Sequence, residues 1–161
     1  MEYFFLILST LDSTLRVATP LILCAMAGIF SERSGIIDIG LEGKMLAAAF
    51  AAGAMAFVSG SAWIGLLAGI SISMLASLIH AFACVTHRGD QVISGLAINI
   101  LASGLTVVLG IAFFRQGGQT PHLSNSGRFM SIDFPFSESI SNFPLLGPIY
   151  SDLIGGHNLL V

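Results

Sequence analysis

The chain has 161 residues, of which 55% are hydrophobic and only 9% charged, with a formal net charge of −3. An ordinary soluble domain carries about 25% charged residues, so the composition excludes a soluble globular domain, and the acidic balance excludes a nucleic-acid-binding role. No Asp, Glu, Lys or Arg lies between Lys44 and Arg88, and none between Asp90 and Arg115. The second run, 24 residues, is about 36 Å long as a helix, more than the roughly 30 Å hydrocarbon core of a bilayer. The sequence is that of an integral membrane protein.

In chain order, Met1–Leu11 has no positive n-region and no clear small-residue cleavage site, so a removable signal peptide is not expected. The stretch reads as an interfacial segment or a frayed start to the first span. Four hydrophobic segments follow, near 15–30, 41–58, 62–86 and 91–114. Pro20 falls in the first turns of the first segment, where helical N–H groups lack intrahelical partners anyway. The second segment, rich in Ala, Met and Phe, sits at the short edge of spanning length. A broken or re-entrant helix and a plain short tilted span fit it equally well. Gly60-Ser61 separates it from the third, and His87-Arg88-Gly89-Asp90 is a tight polar turn before the fourth. The fold class is therefore all-α, with about four transmembrane or re-entrant helices.

From 115 to 161 the chain reads as loop. It carries Gln116-Gly-Gly-Gln-Thr-Pro121, then Phe129, Phe134, Phe136 and Phe143 in a Ser-, Asn- and Pro-containing stretch. Gly155-Gly-His-Asn-Leu-Leu-Val161 has the look of a new apolar run cut short. Arg16, Arg115 and Arg128 fall on one side of four straight spans and Arg33, Lys44 and Arg88 on the other, so the positive-inside rule does not decide the orientation. Cys24 and Cys84 sit in apolar runs and read as reduced, buried thiols.

The densest polar feature is Phe30–Lys44, which places five charges and three glycines within fifteen residues of an otherwise apolar chain. At membrane depth such a segment is tolerated only where protein or water satisfies its backbone and charges. It is not a phosphate-binding loop, because Asp38 stands where the first Gly belongs and Met45 where Ser or Thr would hold magnesium. Gly35, Gly40 and Gly43 have the wrong spacing for a dinucleotide fingerprint. No catalytic constellation is expected and no cofactor. Nor is a metal site: His80 and His87 lie seven apart with no third ligand, and His122 and His157 fall in loops.

Asp38 and Glu42 would be a like-charge pair on one helix face. They read equally as first-turn carboxylates favoured by the helix dipole, with Arg33 and Lys44 to neutralise them, or as groups lining a pathway. In the fourth segment Gln91, Gly95, Asn99, Ser103, Thr106 and Gly110 recur at helical spacing. The glycines read as helix-packing positions, as do Gly65 and Gly69 of a GxxxG pair. The amides of Gln91 and Asn99 serve either packing or a polar solute. Candidates for lining a solute pathway are thus Ser34, Asp38, Glu42, Gln91, Asn99 and Ser103.

Ala18-Thr-Pro-Leu-Ile-Leu, Gly28-Ile-Phe-Ser-Glu-Arg-Ser-Gly-Ile-Ile-Asp-Ile-Gly-Leu-Glu-Gly43 and Gln91-Val-Ile-Ser-Gly-Leu-Ala-Ile-Asn99-Ile resemble the N-terminal half of an ABC-importer permease. The similarity is to the simple-sugar/nucleoside branch of the branched-chain amino acid permease superfamily. Gly118-Gln-Thr-Pro121 and Pro144-Leu-Leu-Gly-Pro148 resemble the same branch. The resemblance implies half of a permease bundle in the bacterial inner membrane. Its implied partners are a second permease subunit in a heterodimer, a cytoplasmic ABC ATPase, a substrate-binding protein and membrane lipid, with ATP hydrolysis on the separate ATPase and none by this chain.

Two residues depart from the family pattern, which usually has Asn at position 38 and an apolar residue at 44. The acid and base either pair with each other, alter substrate choice, or mark relaxed constraint. The family's second half, with the segment that docks on the ATPase, has no counterpart here. The expectation is a truncated importer subunit for nucleosides or related simple sugars. The alternative is a non-transporting remnant or an accessory protein packing on a full permease.

Overall fold

The computed structural model describes residues 2–130. Residues 131–161 lie outside it, and with them Phe134, Phe136, Phe143, Pro144–Pro148, His157 and the expected start of a further span. Four long helices carry the described chain: α1 (Glu2–Arg33), α2 (Leu41–Ser59), α3 (Ala62–Ala81) and α4 (Gln91–Phe114). Each has a stretch long and apolar enough to cross a membrane, namely Leu6–Arg33, Leu41–Ser59, Ala62–Thr86 and Gln91–Phe114. Residues 2–23 belong to one compact unit and Cys24–Arg128 form a second.

The first helix is longer than the hydrophobic segment at 15–30. It starts at Glu2, and the Asp12–Arg16 ion pair at 3.2 Å joins successive turns of its early part. Ser9, Thr10, Ser13, Thr14 and Thr19 donate their hydroxyls to carbonyls three or four residues back, so an apolar surrounding leaves none of them unpaired. Pro20 therefore sits in the helix interior, not in its first turns. Its missing N–H is a gap in the ladder rather than a terminal convenience.

Within the second unit, α1 closes on a Schellman-type cap. Gly35 takes φ 84°, a left-handed conformation that glycine adopts without a Cβ clash. Its N–H donates to Glu32 O at 3.0 Å, and the Ile36 N–H reaches back to Ser31 O at 3.2 Å. The second helix is 19 residues, about 28 Å. It stops at Gly60, again left-handed, whose N–H donates to Ala56 O at 2.9 Å.

The α2–α3 hairpin packs small residue on small residue. A Cβ added at Gly65 would lie 2.7 Å from Ala52 O and 2.8 Å from the Ala56 Cβ, and one at Gly69 3.1 Å from Ala48 O. Ala48, Ala52 and Ala56 are four apart, so they form one ridge of α2 that seats on the glycine face of α3. Large apolar side chains point outward instead: Leu67, Met74, Leu78 and Ile79 on α3 and Ile93, Ile100 and Leu101 on α4 are all exposed. That distribution suits a chain whose surroundings are lipid or further apolar protein.

The third hydrophobic segment ends at Thr86, but its last turn is not α. Phe82–Thr86 is π-helical, with the His87 N–H donating to Phe82 O at 3.2 Å, five residues back. The polar turn follows with Arg88 at φ 51° and the Gly89 N–H bonded to Ala83 O at 3.0 Å. Asp90 then caps α4, its Oδ1 accepting from the Val92 and Ile93 N–H groups at 2.8 and 3.0 Å. At the far end Phe114 makes edge-to-face contacts with Phe50 and Phe57, at centroid distances of 6.5 and 5.6 Å.

The close approach of α2 and α3 generates a prediction. Gly65→Ala is expected to destabilise the detergent-purified chain by about 1–3 kcal/mol through overpacking. Gly104→Ala is the control: a Cβ there meets nothing within 4 Å, and the better helix propensity should leave stability equal or slightly raised. Thermal unfolding midpoints of the two variants against the parent check this, and equal midpoints would refute the packing account.

Candidate functional site

Between α1 and α2 the chain runs without regular structure from Ser34 to Gly40. Backbone groups there have no ladder to join, and in an apolar medium each unpaired one costs several kcal/mol. The α4 helix supplies the partners. Gln91 Oε1 accepts from the Ile37 N–H at 2.7 Å and its Nε2 donates to Gly35 O at 3.4 Å. Asn99 Nδ2 donates to Ile39 O at 3.0 Å, while its Oδ1 accepts from the Gly43 N–H at 2.7 Å. Gly43 lies in the first turn of α2, so Asn99 caps that helix from across the fold; the N-cap residue itself, Gly40, has no side chain to do so.

Glycines permit this seating. A Cβ at Gly43 would fall 2.7 Å from Asn99 Cα, and one at Gly95 would fall 2.9 Å from Gly40 N. Gln91, Gly95 and Asn99 are spaced by four, one face of α4, with amide, gap and amide matched to the segment they hold.

Beside this clamp lies a buried group of charged and polar side chains. Asp38 Oδ2 pairs with Lys44 Nζ, and Asp38 Oδ1 accepts from the Gly40 N–H at 3.1 Å. The Lys44 side chain is 4% exposed and that of Asp38 8%. A lysine in the first turn of a helix opposes the helix dipole, so the Asp38 carboxylate is what makes its position tenable. His80, from α3, points Nε2 at Asp38 Oδ1 over 3.8 Å and bonds Ser94 Oγ of α4 through Nδ1 at 3.0 Å. Cys84 Sγ lies 3.8 Å from both ring nitrogens. A cavity of 250 Å³ adjoins the group and is walled by Ser31, Asp38, Lys44, Ser77 and His80 among others.

A second cavity, of 560 Å³, opens between α2, α4 and the loop after α4. Leu46 and Phe50 give it apolar walls, and Ser103, Thr106, Gln119 and Thr120 bring polar groups. The Ser103 and Thr106 hydroxyls are bonded to carbonyls of their own helix, to Ile100 O at 2.9 Å and Ala102 O at 2.8 Å. Its size is within the usual range for a small-molecule pocket.

The sequence-derived candidates are thus distributed. Gln91 and Asn99 spend their amides on backbone. Asp38 pairs with Lys44, and Ser103 lines the larger cavity. Ser34 is exposed and donates to Ser31 O at 2.7 Å, and Glu42 is exposed at the start of α2. Of the packing glycines, Gly65, Gly69 and Gly95 face neighbouring elements, whereas Gly110 sits under the cap of its own helix, where a Cβ would fall 2.8 Å from Gln116 O. Sequence reasoning missed His80, Ser94, Phe50, Gln119 and Thr120. The signal for His80 was available: it is an ionisable side chain well inside an apolar span, where burial demands a partner.

Residues 10–146 match the profile of the family described as branched-chain amino acid transport system / permease component. The chain belongs to this permease family. It is 38% identical to the guanosine ABC transporter permease protein NupQ of Bacillus subtilis over 86% of its own length and 43% of that protein's. It is 35% identical to the nucleoside ABC transporter permease protein NupC of Lactococcus lactis, over 83% of itself and 42% of the relative. A Haloferax volcanii permease protein named for glucose shares 32% identity over 87% of this chain and 40% of its own. The chain therefore spans about two fifths of the length of these relatives. No solved structure matches.

In this permease-family chain Asp38 and Lys44 are one feature, because the acid and the base are each other's partner. Asp38→Asn or Lys44→Met alone leaves a buried charge uncompensated and is expected to cost about 3–5 kcal/mol at pH 7.5. The double variant should recover most of that loss. Unfolding midpoints of the four proteins in one detergent form the test, and additive single effects would show that the two charges are not coupled.

Proposed function

We propose that this chain is the membrane-spanning part of a permease subunit in an ATP-driven importer for nucleosides or related simple sugars. Its partners in this reading are a second, different permease subunit, a cytoplasmic ABC ATPase and a substrate-binding protein. Family membership across residues 10–146 is the observation that carries the reading, and the names of the nucleoside and sugar relatives give its solute class. The chain's own features agree. A permease must keep irregular, polar backbone at membrane depth without exposing it to lipid, and the Gln91–Asn99 clamp on residues 35–43 does that.

The solute meets the 560 Å³ cavity in this reading. A nucleoside combines a flat apolar ring with hydroxyls, and the cavity offers Phe50 for the first and Gln119 with Thr120 for the second. Neither Gln119 nor Thr120 has a side-chain hydrogen bond among the described residues, so both are available to a solute. Ser103 and Thr106 set the width of the opposite wall, on α4.

Uptake of labelled guanosine by the native host is expected to fall at least about tenfold when the gene is deleted, a loss of roughly 1.4 kcal/mol or more in the rate. Re-expression should restore it. The Thr106→Phe form, which fills the cavity from one wall, should accumulate in the membrane yet fail to restore uptake. Unchanged uptake of nucleosides and simple sugars in the deletion strain would overturn the reading.

A further inference from the structure

We infer, on the transport reading above, that Gly53 sets the size selectivity of the 560 Å³ cavity: by leaving room for Thr120 against α2, it fixes how far the loop wall stands from that helix. Gly53 does not itself line the cavity and is a positioning residue that acts through Thr120. Among the described residues no ionisable side chain lines this cavity, so fit and hydrogen bonding decide between solutes. Fit is a sensitive criterion, because a single methylene in an apolar pocket changes discrimination by about 10–200-fold.

The loop after α4 forms one wall of the cavity, and it is anchored on either side of that wall. Where α4 ends, the Arg115 N–H donates to Ile111 O at 2.9 Å and the Gln116 N–H to Gly110 O at 3.4 Å. The chain then turns at Gly118, φ 77°, and brings Gln119 and Thr120 to the cavity. Further on, Gly127 seats on α2, where a Cβ would lie 3.4 Å from Ala56 O. Between these anchors Thr120 rests on Gly53. A Cβ at Gly53 would stand 3.2 Å from Thr120 Oγ1, 3.3 Å from its Cγ2 and 3.5 Å from its Cβ. Gly53 and Ala56 are three apart and share a face of α2, so the loop runs along that face.

The contact leaves no room for a methyl group and offers no local escape. Threonine carries two heavy γ atoms over three staggered positions. The two positions now filled both lie against Gly53, so every rotamer keeps at least one γ atom there. In Gly53→Ala a backbone must therefore move, either that of α2 or that of the loop.

The loop is the softer of the two. Helix α2 is continuous from Leu41 to Ser59 and its Ala48–Ala56 ridge is seated on Gly65 and Gly69 of α3, whereas residues 115–124 have no regular secondary structure. Thr120 and Gln119 thus move away from α2, and the cavity between α2, α4 and the loop widens. A large solute still reaches both walls of the widened cavity, and a small one loses contact with one of them. A merely structural glycine would change the amount of working permease and leave the choice between solutes as it was.

Uptake of labelled guanosine and of the smaller uridine is compared in the deletion strain carrying the parent gene, Gly53→Ala, Thr120→Ala or the double variant. The ratio of the two rates is the readout, because a loss of folded permease lowers both by the same factor. Gly53→Ala is expected to raise the guanosine-to-uridine ratio at least about threefold over the parent. In the Thr120→Ala background only the 3.5 Å contact to Cβ remains, and there Gly53→Ala should change the ratio by less than about 1.5-fold. A Gly53→Ala ratio equal to or below the parent's, or the same rise in both backgrounds, overturns the inference and leaves the transport reading standing. A parent gene that restores no uptake overturns the reading and the inference with it. Should Gly53→Ala fail to accumulate, Thr120→Ser carries the test in the opposite direction. With one γ position vacated the loop settles closer to α2, and the ratio is expected to fall to roughly half the parent's; an equal or higher ratio refutes the inference.

Discussion

The structure depends on one requirement: the backbone of residues 34–43 must find hydrogen-bond partners away from water. A helix satisfies its own backbone and can face lipid, whereas an irregular stretch cannot. Two amide side chains on one face of α4 meet the part that the segment's own turns leave open, through hydrogen bonds to Ile37 N–H, Gly35 O, Ile39 O and Gly43 N–H. In an apolar medium each such group left unpaired costs several kcal/mol, far more than the net gain from an average hydrogen bond in water. The placement of α4 against the segment, the glycines at 40, 43 and 95 and the start of α2 all follow from that seating.

Packing elsewhere obeys the same solvent logic in reverse. In a bilayer a leucine gains little by turning inward, since lipid tails are as apolar as its neighbours in the bundle. What turns inward within Cys24–Arg128 is small or polar, including Gly43, Gly65, Gly69, Gly95, Ala56, Cys84 and Ala102, with Lys44 and His80. Close backbone approach between α2 and α3 replaces the bulky core of a soluble protein. The Asp38–Lys44 pair fits as a register device more than as a source of stability, because desolvation consumes much of its Coulomb energy. A pair that works only in one alignment of segment and helix penalises every other alignment.

The helical architecture was legible because uncharged runs of that length have few other solutions. The helical stretches stop after Ser59, Thr86 and Phe114 because Gly60, the His87–Asp90 turn and Arg115 each end a helix for a local reason. The beginning of α1 was less legible: its early turns mix hydroxyl and charged residues, and only back-bonding to carbonyls three or four residues earlier by Ser9, Thr10, Ser13 and Thr14 shows how they stay helical. The polar stripe of α4 was visible as periodicity, but its target was not, since nothing local says that an amide at 99 meets a backbone N–H 56 residues earlier. His80 was overlooked because it read as a structural or interfacial histidine once a metal site was set aside, with no partner sought for its ring at depth. Gln119 and Thr120 lay in a stretch that composition describes only as loop.

The same two helices carry both features of the candidate site. Gly43 and Lys44, in the first turn of α2, belong to the clamp and the charge group, and Leu46, Ala49 and Phe50 a turn or so on wall the larger cavity. On α4, Gln91 to Asn99 hold the segment, and Ser103 to Val107 form the cavity wall. A helix is stiff over two turns, and packed interfaces shift between discrete arrangements rather than deform smoothly. A displacement of α4 along or about its axis that widened the cavity would also pull on four hydrogen bonds to the segment. The segment and the cavity wall are thus tied to the same helix, α4, through those four hydrogen bonds.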